Sequence, residues 1–167
     1  PAGGSTGPSI VSPVDNADPA SPAGRPAPAE ADPVYQGKPL SAWLAMLRDA
    51  DPEFRRTGMR AVVAVAGKAL PAVPPLVEAL ADSDPVVRTL AAQALANVGP
   101  GAGDAVPALA KSLADGTPEV RAAAAAALRE IGPAAKAAAP SLLDAVRDDA
   151  PAVRLRAIGA LIEVGVP

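Results

Sequence analysis

Residues 106–132 read VPALAKSLADGTPEVRAAAAAALREIG, two short amphipathic runs broken by Asp115-Gly116-Thr117. In the first run Val106, Leu109, Ala110 and Leu113 recur at helical spacing and make one apolar stripe. Pro107 falls in the first turn, where its missing N–H leaves no bond unmade. Thr117 reads as an N-cap and Pro118 as the first helical residue of a second helix, with Glu119 near the positive helix start. The second stripe runs Val120, Ala124, Ala127, Leu128 and Ile131, and Gly132-Pro133 ends it. The spacing predicts a helical hairpin.

The same unit returns every 33 residues. Pro52, Pro85, Pro118 and Pro151 keep that step, as do Arg55, Arg88, Arg121 and Arg154, and Asp49, Asp82, Asp115 and Asp148. The apolar columns keep it too. Trp43, Leu76, Leu109 and Leu142 align in the first helix, and so do Leu47, Leu80, Leu113 and Val146. Three columns follow in the second helix: Phe54/Val87/Val120/Val153, Val62/Leu95/Leu128/Leu161 and Val65/Val98/Ile131/Val164. One hairpin cannot bury such stripes alone, but stacked neighbours bury them together. The expected fold is therefore all-α, an α-solenoid of four 33-residue hairpins over residues 35–167. The units run approximately over 35–68, 69–101, 102–134 and 135–167.

Residues 1–34 are of another kind, an extended Pro/Ala-rich N-terminal arm of low complexity. They hold eight prolines and seven alanines and carry a net charge of −3. Such a segment is too poor in apolar bulk to fold alone. The repeats hold 14 basic and 14 acidic side chains, so that module is neutral. Neutrality argues against nucleic acid, which needs a basic stripe, and against an anionic membrane surface. With no cysteine and no histidine, disulfides, thiolate nucleophiles and the usual zinc sites are excluded. No apolar run approaches the ~20 residues that span a bilayer. The chain begins at Pro1 with a spacer-like head, so an extracytoplasmic protein, secreted or on the cell surface, is expected. A trimmed fragment and a cytoplasmic location are the alternatives.

Each unit reads Pro, seven residues, Asp, four residues, Val, Arg, as in Pro74/Asp82/Val87/Arg88, Pro107/Asp115/Val120/Arg121 and Pro140/Asp148/Val153/Arg154. This pattern resembles the HEAT repeat, in particular the short bacterial form called the phycobilisome-lyase-like HEAT repeat. In unit one Ser41 replaces the proline and Phe54 the valine, while Asp49 and Arg55 remain. The resemblance implies that Asp49, Arg55, Asp82, Arg88, Asp115, Arg121, Asp148 and Arg154 form a structural ladder between units. An arginine fork suits that role, since it can bridge a neighbour's carboxylate and loop carbonyls. Recurrence fits structure as well, because a catalytic group is needed once. Trp43, backed by Tyr35, reads as a plug over the open N-terminal end of the stack. The loop carboxylates of Asp82-Ser83-Asp84 and Asp148-Asp149 read as solvated caps, and Gly99-Pro100-Gly101-Ala102-Gly103 as a linker.

Two surfaces are candidates for partner contact. The second-helix face carries Arg56/Thr89/Ala122/Leu155, Arg60/Gln93/Ala126/Gly159 and Val63/Ala96/Arg129/Ile162, and the resemblance implies that it lines the concave side. Unit four offers Leu155, Ile158, Leu161 and Ile162 with nothing polar to cover them, although a terminal unit needs a polar outer face. Head-to-tail contact of unequal ends builds rings or filaments. In the arm, Ile10, Val11 and Val14 are the bulky apolar anchors an extended segment could insert.

The expected function is non-enzymatic, that of an assembly subunit of a surface filament or larger complex. Contacts with neighbouring subunits would run through the arm and the uncapped repeat, giving a homo-oligomer or a component of a larger assembly. The alternative is a monomeric adaptor holding an unrelated protein on the concave face. A remote third reading comes from the resemblance alone, which brings in phycobilin lyases that hold a tetrapyrrole on HEAT-like repeats. One Trp, one Tyr, one Phe and no His give this chain little to grip a pigment. No cofactor is expected.

Overall fold

The structure, a computed structural model, describes residues 32–66 and 72–165. Along the chain come β1 (Val34–Tyr35), β2 (Lys38–Pro39), α1 (Leu40–Ala45), α2 (Pro52–Val65), α3 (Val73–Ala79), α4 (Pro85–Val98), α5 (Val106–Ser112), α6 (Pro118–Ile131), α7 (Ala139–Ala145) and α8 (Pro151–Val164). Units one to four are thus the pairs α1/α2, α3/α4, α5/α6 and α7/α8. The chain is an all-α repeat solenoid.

Each second helix opens on its repeated proline, whose fixed φ and absent N–H suit the first helical residue. Gly99 and Gly132 close α4 and α6 at φ +66° and +70°, a conformation that a side chain would strain. The glycine-rich linker then winds into a 3-10 turn, Gly99–Ala105, matched by Gly132–Ala138 one unit later.

The expected side-chain cap at Thr117 is not made. Thr117 holds the N-cap position of α6 without a side-chain cap bond. Its N–H instead donates to Asp115 Oδ1 at 2.8 Å, while its hydroxyl lies 3.5 Å from Arg88 Nη2. In α2 and α4 the cap is an aspartate, Asp51 or Asp84, accepting from Glu53 or Val86 N–H.

The core lies between the two helix layers. Trp43, Leu76, Leu109 and Leu142 are buried in one line, faced by Val62, Leu95 and Leu128. Second helices lie against each other along the stack, whereas first helices scarcely meet. This unequal spacing makes the second-helix side the inner one. Phe54 departs from its column: Val87, Val120 and Val153 are fully buried, but Phe54 is 53% exposed. Unit one has no described predecessor to cover that side. Leu161, on the opposite side of the stack, is only partly buried.

Unit one differs in two further ways. A two-residue hairpin stands where later units have their 3-10 turn. Gln36 and Gly37 both adopt positive φ, which matches the right-handed twist of the paired strands. Trp43 Nε1 donates to Tyr35 O at 3.1 Å, and the Lys38 ammonium sits 4.9 Å from the Trp43 ring centre. Asp32 accepts from Ser41 N–H, and Pro33 O from Leu40 N–H at 2.8 Å. Asp32–Val34, assigned to the arm by composition, are thereby tied to the repeats.

The second difference is Gly58. Its column holds Ala91, Ala124 and Ala157 in the other units. A Cβ on Gly58 would lie 2.8 Å from Met46 Cβ and 2.9 Å from Trp43 O. The first helix comes too close there for even a methyl group.

Candidate functional site

The repeated charges meet at every junction between units. Arg55 donates from Nε to Asp82 Oδ2 at 2.8 Å and from Nη2 to Oδ1 at 2.9 Å. Arg88 reaches Asp115 at 2.8 and 3.0 Å, and Arg121 reaches Asp148 at 2.7 and 2.8 Å, through the same atoms. Nη1 of each arginine turns back to its own unit's inter-helix turn, onto Asp49 O, Asp82 O or Asp115 O. Each aspartate Oδ1 also takes a turn N–H: Asp84 N to Asp82, Thr117 N to Asp115, Ala150 N to Asp148. A bidentate fork, with both partners largely shielded, is the strong form of this bond.

The bonds shift the acids accordingly. The Arg121 fork holds the Asp148 carboxyl below the ordinary range. Burial pushes Asp115 up, but the bonds from Arg88 and from the Thr117 N–H outweigh it and bring it down. Asp84, expected as a solvated loop carboxylate, is buried and held down by a bond from Arg56. Arg56, proposed as a partner contact, is thus spent inside the molecule on Asp84 and Glu53. Arg60 is exposed, with no ion pair among the described residues. Ile10, Val11 and Val14 lie outside the described residues.

Among the described residues the ladder has two open ends. Asp49 is exposed, and its Oδ1 takes the Asp51 N–H at 2.9 Å, yet no arginine bonds its carboxylate among the described residues. Arg154 sends Nη1 to Asp148 O and Asp149 O at 2.8 and 2.9 Å. Its Nε and Nη2, the atoms that bridge the other junctions, have no partner among the described residues.

The apolar surface follows the same polarity. Leu143, Leu155, Ile158 and Ile162 are 53, 73, 45 and 71% exposed. One or more units back, Leu44, Val77 and Ala110 (the Leu143 column) and Met59, Ala92 and Ala125 (the Ile158 column) are partly or wholly buried. Ala122, one unit before Leu155, is buried as well. Leu143, Leu155 and Ile158 are thus exposed where the earlier units bury the same position at least in part. Leu143 escaped the sequence reading because it follows the core residue Leu142; column alignment with Leu44 and Val77 was the signal that could have found it. On the inner side, Thr89, Gln93, Ala122, Ala126 and Arg156 line an open groove of about 440 Å³ across α4, α6 and α8.

Among the described residues no group of His, Cys, Asp and Glu could hold a metal ion, and no helix is long and apolar enough to cross a membrane.

A stack of helical hairpins joined by an Asp–Arg ladder defines a class, the α-helical repeat proteins. The HEAT repeats family matches residues 40–129 and 73–162, and the chain belongs to it. No curated protein matches the sequence. Among solved structures, a designed armadillo repeat protein in complex with the peptide (KR)4 is similar at TM-score 0.66 and 23% identity, over 75% of this chain and 64% of that one. The complex of CpcE and CpcF of phycocyanin lyase from Nostoc sp. PCC7120 gives TM-score 0.63 and 27% identity, over 75% and 52%. An engineered protein gives 0.63 and 24%, over 75% and 62%. The chain spans less than two thirds of the length of each.

Proposed function

We propose that this chain is a protein-interaction scaffold, acting as an assembly subunit rather than as an enzyme, whose unit-four end receives a neighbouring subunit. The observation that carries this is the exposed face of Leu143, Leu155 and Ile158, positions that are partly or wholly buried in the preceding units, with exposed Ile162 beside them on α8. Monomeric proteins seldom leave such a contiguous face open unless something binds it. The repeated charges, the chain's most regular polar feature, are engaged with each other, which favours binding over chemistry.

Hydrogen exchange at low and high protein concentration tests the reading. Slowed exchange in α7 and α8 at high concentration, with α4 and α5 unchanged, is expected. Identical exchange throughout would favour the second reading, an adaptor holding an unrelated protein in the inner groove beside Ala122 and Ala126. That groove is the observation in the adaptor's favour.

A further inference from the structure

We propose that the junction between units one and two is a joint, on which unit one swings as a body against a firmer stack of units two to four. The inference goes beyond the unit-four reading and does not depend on it.

The second helices carry the contrast. α4 lies closely along α6, and α6 along α8, whereas α2 packs less closely on α4. Being at an end does not account for this, since α8 is also an end helix and lies on α6 as closely as α4 does. The columns supply a reason. Met59 is fully buried, and its column holds the fully buried Ala92 and Ala125 in units two and three. A methyl group lets two backbones approach. The longer thioether side chain holds them apart, and its rotatable bonds let it refill a changing gap.

Polar groups make up for the looser apolar contact. Besides the Arg55–Asp82 fork, Arg56 bonds Asp84 and Asn97 Nδ2 donates to Val63 O at 3.0 Å. The Arg56–Asp84 positions hold Thr89 and Thr117 at the next junction, then Ala122 and Ala150. Glu130, at the Asn97 position of unit three, pairs with its neighbour Arg129 instead. When two units part, water replaces their hydrogen bonds but not their apolar contact, so the polar junction opens most readily.

Unit one is stiff within itself. Gly58 lets α1 close on α2 at Met46 and the Trp43 carbonyl, and Trp43 Nε1 binds the hairpin through Tyr35 O. Motion is therefore concentrated at the junction, as in a hinge. A swing there changes the separation between exposed Arg60 on α2 and the inner groove that begins at Thr89 and Gln93.

Distances between paired spin labels test the joint, and the absence of cysteine makes labelling specific. Arg60→Cys with Ala126→Cys spans the junction of units one and two. Gln93→Cys with Gly159→Cys, from the same column, spans as many units without it. The first pair should give a distance distribution at least about twice as broad as the second, as hinge motion requires. Equal widths would overturn the joint. Hydrogen exchange at low protein concentration needs no labels and reads the same junction. Arg56→Gln combined with Asn97→Ala should speed exchange in α1 and α2 about fivefold, with α6 and α8 unchanged. Acceleration spread evenly over all helices, or none in α2, would also overturn it.

Discussion

Arg88 and Asp115 face each other as fork and carboxylate, Nε to Oδ2 at 2.8 Å and Nη2 to Oδ1 at 3.0 Å, across the junction of units two and three. The same guanidinium holds Asp82 O and Ser83 O through Nη1, so one side chain fixes the turn of its own unit and the position of the next. Arg88→Ala should cost about 1.5–3 kcal/mol, the range for bonds to charged groups. Arg88→Lys should recover little of it, because an ammonium cannot make the planar two-point contact. Urea unfolding of the two variants checks both; equal stability of Lys and wild type would refute the bidentate role.

The acids set a pH limit. Asp84, Asp115 and Asp148 are held below their ordinary values in the folded chain. A carboxyl with a lowered folded pKa contributes stability that is complete above its unfolded pKa, about 3.9, and is lost as pH falls through the folded value. Thermal unfolding should therefore be flat from pH 7 to about 5 and decline below about 4. No histidine is present to bend the plateau near neutrality. An unchanged Tm at pH 3 would contradict the ladder's contribution.

Core and end face should respond in opposite ways. Leu109 is fully buried, so Leu109→Ala should cost about 2–5 kcal/mol through lost contact and the cavity left behind. Ile162→Ala removes an exposed side chain and should change the stability of the single chain by less than about 0.5 kcal/mol. Its effect should appear in association. Chemical denaturation at low protein concentration separates the two.

Gly58→Ala is expected to destabilise by about 1–3 kcal/mol, the usual cost of overpacking, although alanine is the better helix former. The added Cβ would clash with Met46 Cβ and the Trp43 carbonyl. Ala91→Gly, in the same column of unit two, should instead lose packing and helix propensity. A stabilising Gly58→Ala in thermal melts would show that the first helix yields.

Most of the architecture was legible because a 33-residue register writes each packing position four times. Leu76, Leu109 and Leu142 could be read as core from their alignment alone. The misreadings fall where periodicity says nothing. Phe54 shares a column with buried valines, but burial there needs a preceding unit. The Asp84–Arg56 pair has no counterpart in later units, where those positions hold Thr117 and Thr89, then Ala150 and Ala122. Thr117 holds the N-cap position of α6 as read, but its hydroxyl lies beside Arg88 Nη2 and makes no cap bond. At unit four, Leu155, Ile158 and Ile162 were legible as an exposed apolar face, whereas Leu143 was not, because it follows the core residue Leu142.

The most direct measurement is sedimentation velocity on the wild-type chain over a wide concentration series, beside Leu155→Glu. Expected is a mass that rises with concentration for the wild type and stays at 16.4 kDa for the variant. A wild-type chain of single-copy mass at every concentration would contradict assembly through the unit-four end.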